Sequence, residues 1–402
     1  MEGKSWPLVA LTCLLAGMAL LYAARGVAHL VAGEGAGDLR IRWSAQRYAF
    51  DRQNPYDVQE RVWALQEGRA AAAVARRVEP RSDLGAPGVV GDPPWAFVSG
   101  AVLYGAPWPE VRWIFAGVSL AALAVLGRWA WRLGRPFGKR GAALLSAAAL
   151  APAAHGTAIG LGQPATIVLA LLALLLALER RRVASGLILG VANLKLNVAA
   201  PFVLPFLARG RWAAIAVAGA YWLACSLLVW RWLATDPLEW TGQMFWGTPL
   251  LELADVGALS FLAERGLGGP GTVLLLALAA AGVGLAGLRT LRGRPLLESF
   301  AVAGVVARVG TYHRVYDNGL IVFLLVALGV AFLERPTRSR AAAFLAVGVT
   351  LWLPSRLADG GPAVALQLAV WCGATALLCR WGCGRAETPA AAGPAVSPAP
   401  GS

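Results

Sequence analysis

The sequence predicts an all-α polytopic membrane protein, a bundle of about 10–13 transmembrane helices with a long extracytoplasmic first loop. Three observations predict it. Of the 402 residues, 58% are hydrophobic and only 14% charged, with a mean hydropathy of +0.60, which is too apolar for a soluble domain of this length. Apolar runs recur along nearly the whole chain, so most backbone N–H and C=O groups must be satisfied inside helices rather than by water. The arginines gather between the runs, so the net charge of +14 reads as loop charge and implies no nucleic-acid partner. A soluble enzyme, a DNA-binding module and a secreted disulfide scaffold are thereby excluded.

The elements follow in order. Lys4 precedes the apolar run Trp6 to Ala24, and Arg25 follows it. That length suits a retained signal anchor with its N-terminus in the cytoplasm better than a cleaved signal peptide. Residues 25–92 make the first extracytoplasmic loop. Further apolar runs cover approximately 94–107, 110–127, 141–154, 164–178, 183–194, 198–208, 212–230, 271–288, 296–307, 318–333, 341–353 and 363–379. Several fall short of the roughly 17–25 residues that span a bilayer, so tilted, broken or re-entrant helices are expected. If 94–127, interrupted at Pro107-Trp108-Pro109, makes one net crossing, alternate loops collect nineteen of the 36 lysines and arginines, from Lys4 through Arg180-Arg181-Arg182 to Arg380 and Arg385. Twelve crossings with both termini inside satisfy the positive-inside rule. Residues 1–385 thus form one transmembrane domain, followed by a disordered cytoplasmic tail at 386–402, rich in Ala, Pro, Gly and Ser. The five cysteines lie mostly in or beside apolar runs, without the partners of a metal site, and read as structural.

In this orientation the polar residues hardest to explain as solvated loops converge on the extracytoplasmic side. They lie in the first loop, the turn His155 to Gln163, the intrahelical Asn193-Leu194-Lys195-Leu196-Asn197, the 231–270 loop, and Arg308 to Asp317. A lysine between apolar runs costs about 2.5–3.5 kcal/mol at mid-membrane, so Lys195 is expected to face an anion such as a phosphate; snorkelling to the outer headgroups is the alternative. The stretch Arg308-Val-Gly-Thr-Tyr312-His313-Arg314-Val-Tyr316-Asp317 packs two arginines, a histidine, two tyrosines and an aspartate into one helix-to-helix turn. Arginine offers bidentate donors to a phosphate, while tyrosine and aspartate take hydroxyl hydrogen bonds, so the turn can hold an anionic group and a sugar together. Asp38, shortly after the first span, can serve as a general base on an incoming hydroxyl; a solvated loop acid is the alternative. No Asp-x-Asp, Walker A or strand-preceded Gly-x-Gly-x-x-Gly pattern is present, which disfavours nucleotide-sugar and ATP chemistry. No metal and no cofactor is expected.

Taken in order, these signatures resemble glycosyltransferase family 87, the polyprenyl-phosphate-mannose-dependent mannosyltransferase-like group of the GT-C superfamily. The resemblance covers most of residues 6–380 and rests on Asp38 after the first helix, Asn54-Pro55-Tyr56-Asp57, Pro93-Pro94, Gly162-Gln163, Arg180-Arg181-Arg182 with Ser185-Gly186 and Gly190, Lys195 with Pro201, and Tyr312-His313-Arg314-Val-Tyr316-Asp317. It implies a GT-C-like bundle in a bacterial inner membrane. Sugar, mannose by the family's pattern, would pass from a polyprenyl-phosphate carrier to a glycan or glycolipid acceptor on the extracytoplasmic side. Asp38 would be the catalytic base, Lys195 would lie near the carrier phosphate with Arg308, His313 and Arg314, and Arg42, Tyr56, Gln163, Asn193, Tyr312, Tyr316 and Asp317 would line the sugar or acceptor. Two other readings stand beside it: a transporter or flippase of a lipid-linked or anionic solute, and a non-catalytic envelope-assembly partner.

Overall fold

The computed structural model describes residues 6–32, 36–66, 83–84, 92–246, 262, 266, 269–311, 313–354 and 361–381. The expected tail at 386–402, much of the 67–91 stretch, and Tyr312 lie outside the described residues. Every described element is helical. In chain order they are α1 Trp6–Ala32, α2 Gly37–Phe50, α3 Pro55–Gln66, α4 Pro94–Tyr104, α5 Trp108–Gly134, α6 Gly138–Leu150, α7 Ala153–Leu161, α8 Ala165–Ala177, α9 Arg182–Ala192, α10 Leu196–Ala199, α11 Leu204–Ala208, α12 Trp212–Leu233 and α13 Pro237–Trp246. There follow α14 Pro270–Thr290, α15 Leu296–Gly310, a 3₁₀ helix Val315–Ile321, α16 Val322–Glu334, α17 Arg338–Trp352 and α18 Gly361–Trp381. The chain is a multi-pass membrane protein.

The apolar runs all become helices, and prolines mark where several begin. Pro93, Pro107, Pro152, Pro164 and Pro295 sit at the N-caps of α4, α5, α7, α8 and α15, where a missing N–H removes no helical hydrogen bond. Among the described residues five segments are long and apolar enough to cross a membrane: Trp6–Ala32, Trp108–Leu150, Trp212–Leu233, Val315–Glu334 and Pro362–Trp381. The second of these folds back on itself. Gly138 adopts φ +83° and reverses α5 into α6, and Ser146 Oγ donates to Gly127 O at 3.1 Å across the hairpin.

Three stretches expected as loops are helical instead. The first loop contains α2 and α3, the His155–Gln163 turn is mostly α7, and α13 lies in the 231–270 segment. The first span also continues through Arg25 to Ala32. α2 and α3 escape detection in a hydropathy reading because their charged and apolar residues alternate at helical spacing without forming an apolar run. α7 is short and apolar, and its small residues Ala153, Ala154, Gly156, Ala158 and Gly160 read as a turn.

Packing between spans cannot draw on a hydrophobic gradient within lipid, so it relies on close backbone approach. Gly156 and Gly160 of α7 form a small-xxx-small face against α1. A Cβ at Gly26 would stand 2.5 Å from Gly156 O, and one at Gly156 would stand 2.5 Å from Tyr22 O. The two helices run side by side in the same direction, since Tyr22 and Gly26 meet Gly156 while His29 meets Gly160. α9 and α12 repeat the device, with Gly186 against Ala214 O and Gly190 against Tyr221, so the chain between them must return through α10 and α11. At the centre, the candidate span that contains α16 is 89% buried in protein, against 6% for α1. Phe202 and Phe300 close on its Phe323, the three ring centroids 5.0–5.6 Å apart, each pair contributing about 0.5–1.5 kcal/mol beyond its area.

This packing predicts that Gly156→Ala overpacks the α1–α7 seam and destabilises the protein by about 1–3 kcal/mol. Gly117→Ala, where an added Cβ meets nothing within 4 Å, should be neutral or stabilise by up to about 1 kcal/mol. Unfolding midpoints of the two variants in detergent check both.

Candidate active site

The start of α2 lies directly over the end of α7. α7 ends at Gly162, which adopts φ +77°; a Cβ there would stand 2.2 Å from Leu39 Cβ. Only glycine permits both the left-handed turn and that contact. The consequence is placement: Leu39 brings Asp38, in the first turn of α2, against the next residue of the turn, Gln163.

Gln163 donates from Nε2 to Asp38 Oδ2 at 2.8 Å and accepts at Oε1 from Lys195 Nζ at 3.1 Å. Lys195 occupies the break between α9 and α10, where it also donates to Asp317 Oδ1 at 2.7 Å. Lys195 and Asp317 are buried, at 5% and 0% side-chain exposure. The other Asp317 oxygen faces His313 Nδ1 at 3.3 Å, Asn197 Nδ2 at 3.5 Å and the Arg314 backbone N–H at 3.2 Å. The last contact caps the 3₁₀ helix that carries Asp317. His313 is fixed from its other nitrogen by Thr311 Oγ1 at 2.8 Å and Ala307 O at 2.9 Å. A continuous polar chain therefore runs from Asp38 through Gln163, Lys195 and Asp317 to His313. Asp38 is its half-exposed end. The Tyr316 ring lies over the ammonium, 4.4 Å from Lys195 Nζ to its centroid.

A second cluster adjoins the first. Arg42, one helical turn after Asp38, holds Asp92 in both oxygens at 2.9 and 3.0 Å, and Tyr56 Oη donates to Asp92 O at 3.0 Å. Burial opposes the Arg42 charge most strongly, but Asp92, Tyr104 and Tyr316 together outweigh it and raise the guanidinium pKa. Tyr316 contributes to the same field, so the Arg42–Asp92 pair and the Lys195 centre share electrostatic reach.

Of the residues singled out in the sequence, Asp38, Gln163, Lys195, His313, Tyr316 and Asp317 meet in one centre, with Arg42 and Tyr56 beside it. Arg314 is exposed and joins through its backbone. Arg308 points elsewhere: it is buried, its Nε donates to Asn318 Oδ1 at 2.8 Å, and its guanidinium lies 5.8 Å from the Trp371 ring centroid. Asn193 is buried, with Nδ2 on Leu189 O at 2.9 Å, and Oδ1 has no hydrogen-bond partner among the described residues. Asp92, Asn197 and Trp95, which donates to Asn193 O at 3.0 Å, complete the surroundings. Asn197 stood inside a quoted motif without a role of its own and Asp92 directly precedes Pro93-Pro94, while Trp95, stacked on Trp222 at 5.7 Å, carried no local signal beyond following that pair.

Chemically, the centre offers one half-exposed carboxylate tied through an amide to a buried cation whose own counter-charge is internal. Such an arrangement can accept a proton at one end and stabilise developing negative charge near the other. A multi-pass helical membrane protein with a membrane-embedded polar centre of this kind belongs to a limited class. Glycosyltransferase family 87 matches residues 92–312, more than half of the chain, and the chain belongs to that family. The match takes in Gln163, Lys195 and Arg308, while Asp38, His313 and Asp317 lie outside it. Family membership implies glycosyl transfer from a sugar donor to an acceptor. No curated protein and no solved structure matches the chain.

Two outcomes follow. Lys195→Met leaves the Asp317 carboxylate buried without its main partner and should cost about 3–5 kcal/mol, whereas Lys195→Met combined with Asp317→Leu should recover a large part of that loss; unfolding in detergent measures the difference. Gly162→Ala should displace Leu39 and Asp38 and reduce glycosyl transfer more than it reduces the unfolding midpoint, read from both measurements on one preparation.

Proposed function

We propose that the protein transfers a sugar, mannose by the family's pattern, from a polyprenyl-phosphate carrier to a glycan or glycolipid acceptor on the extracytoplasmic side of a bacterial inner membrane. Asp38 is the general base. The observation that carries this reading is the Asp38–Gln163–Lys195 contact. A half-exposed carboxylate and a buried cation are held by the two ends of one amide, which brings a base and a leaving-group stabiliser into one centre. Displacement with inversion requires one base to take the acceptor proton, and positive charge to meet the departing phosphate. Lys195, with the exposed Arg314 nearby, supplies that charge, while His313 faces the Asp317 carboxylate behind it. Arg42, Tyr56, Asn193 and Tyr316 flank the same centre and offer donors and an aromatic face to sugar or acceptor hydroxyls. Arg308 is set back from the centre and supports the 3₁₀ helix through Asn318.

The lipid-linked donor is supported by the setting: the polar centre is reached from helices embedded in a membrane, and no nucleotide-binding pattern occurs in the sequence. The test is transfer of radiolabelled mannose from polyprenyl-phosphate-mannose to membrane extracts by purified protein. The Asp38→Asn variant should keep its fold and bind donor while losing transfer by at least about 10²–10⁴-fold. Undiminished transfer in Asp38→Asn would remove the base assignment, and uptake or flipping of a lipid-linked solute without any transfer would favour a transport role.

A further inference from the structure

A second feature lies on the other flank of α7 from Gln163. A groove of about 750 Å³ opens between α1 and α7, of the size that takes a small-molecule or lipid-headgroup ligand. Its floor is the glycine seam of Gly26, Gly156 and Gly160, and its rim carries Arg25 and His29, one helical turn apart on α1. Both rim residues are exposed. Among the described residues neither makes a hydrogen bond or ion pair, and no acidic residue lines the groove. Tyr22, one turn before Arg25, is anchored by donating to Trp352 O at 2.8 Å.

Depth along α1 determines what such a groove meets. Arg25 stands nineteen residues beyond Trp6, about 28 Å along the helix axis, close to the roughly 30 Å thickness of a hydrocarbon core. Arg25 and His29 therefore lie at headgroup level on one side of the membrane, with Tyr22 at the interface where aromatic rings collect, and the end of the groove lined by Tyr22 and Ala153 faces the acyl region. A guanidinium at that depth, without a partner among the described residues, faces lipid phosphates. Arg25, Ala28 and His29 are exposed along the α1 side of the groove, so that side is open to the bilayer.

We propose that this groove is a binding site for an anionic phospholipid of the surrounding leaflet, with its phosphate on Arg25 and His29 and an acyl chain leaving past Tyr22 and Ala153. The lipid lies beside the glycine seam and braces α1 against α7 just before Leu161, the last groove residue on α7, gives way to Gly162 and Gln163. The site needs no part of the transfer reaction, and its test reads lipid binding alone.

The test is native mass spectrometry of the delipidated full chain in detergent, with phosphatidylglycerol and phosphatidylcholine of identical chains offered in competition. The wild type should hold one phosphatidylglycerol per chain with a preference of about fivefold over phosphatidylcholine for each interfacial cation engaged. Arg25→Gln should bring that ratio down toward one. Ala28→Phe, at an exposed groove position, should remove the tightly held lipid while circular dichroism stays unchanged, and Arg181→Gln, on a distant exposed arginine, should leave both readings as in the wild type. Equal retention of the two lipids by the wild type overturns the proposal. So does a loss in Arg25→Gln without one in Ala28→Phe, which would assign the binding to surface charge outside the groove.

Discussion

The Lys195–Asp317 pair is the constraint around which the bundle is organised. Each residue interrupts an apolar stretch, and each would be costly alone at that depth. Their sequence separation of 122 means the two helix breaks can exist only if the chain brings them together. Once it does, the remaining bonding capacity of each is taken up locally: Asp317 caps its own 3₁₀ helix through Arg314 N–H and engages His313 and Asn197, while Lys195 reaches Gln163. A buried pair of this kind is weak evidence for stability, because desolvation offsets much of the Coulombic gain. Its value here is specificity, since only one register of α9–α10 against α15–α16 satisfies both charges.

The same pair changes how the expected phosphate site is understood. Lys195 is not an isolated cation awaiting an anion, because Asp317 already balances it. Its charge acts instead as part of a fixed, internally neutral dipole whose ammonium end is shared with Gln163 and faced by Tyr316. Preorganised polar groups stabilise developing charge without reorganising at the moment of reaction. Asp38 differs from these residues in being half-exposed and, among the described residues, held by a single amide contact at Oδ2, which leaves Oδ1 to meet a hydroxyl.

Glycines govern how the helices come close enough for this to happen. Gly26, Gly156 and Gly160 let α1 lie against α7, and Gly162 then lets α2 begin directly over the end of α7. The placement of Asp38, the amide and the groove between α1 and α7 are therefore consequences of one backbone approach, viewed from two flanks of the same short helix.

The membrane class, the apolar helices, the proline-marked starts and most of the polar residues of the centre were legible in the chain, because hydropathy and helix punctuation are local properties. Asp38, Lys195, His313 and Asp317 stood out for the same reason, as ionisable residues at apolar boundaries. What could not be read locally was partnership. That Lys195 meets Asp317, that Gln163 joins Lys195 to Asp38, that Arg42 holds Asp92, and that Arg308 turns away to Asn318 all depend on contacts between residues distant in the chain or on the rotation of a helix. The helices α2, α3, α7 and α13 were likewise hidden, since short amphipathic or glycine-rich segments carry too little apolar signal to be distinguished from loops until neighbouring helices supply the surface against which they form. Local chemistry selected the residues, and backbone approach at a few glycines decided which of them meet.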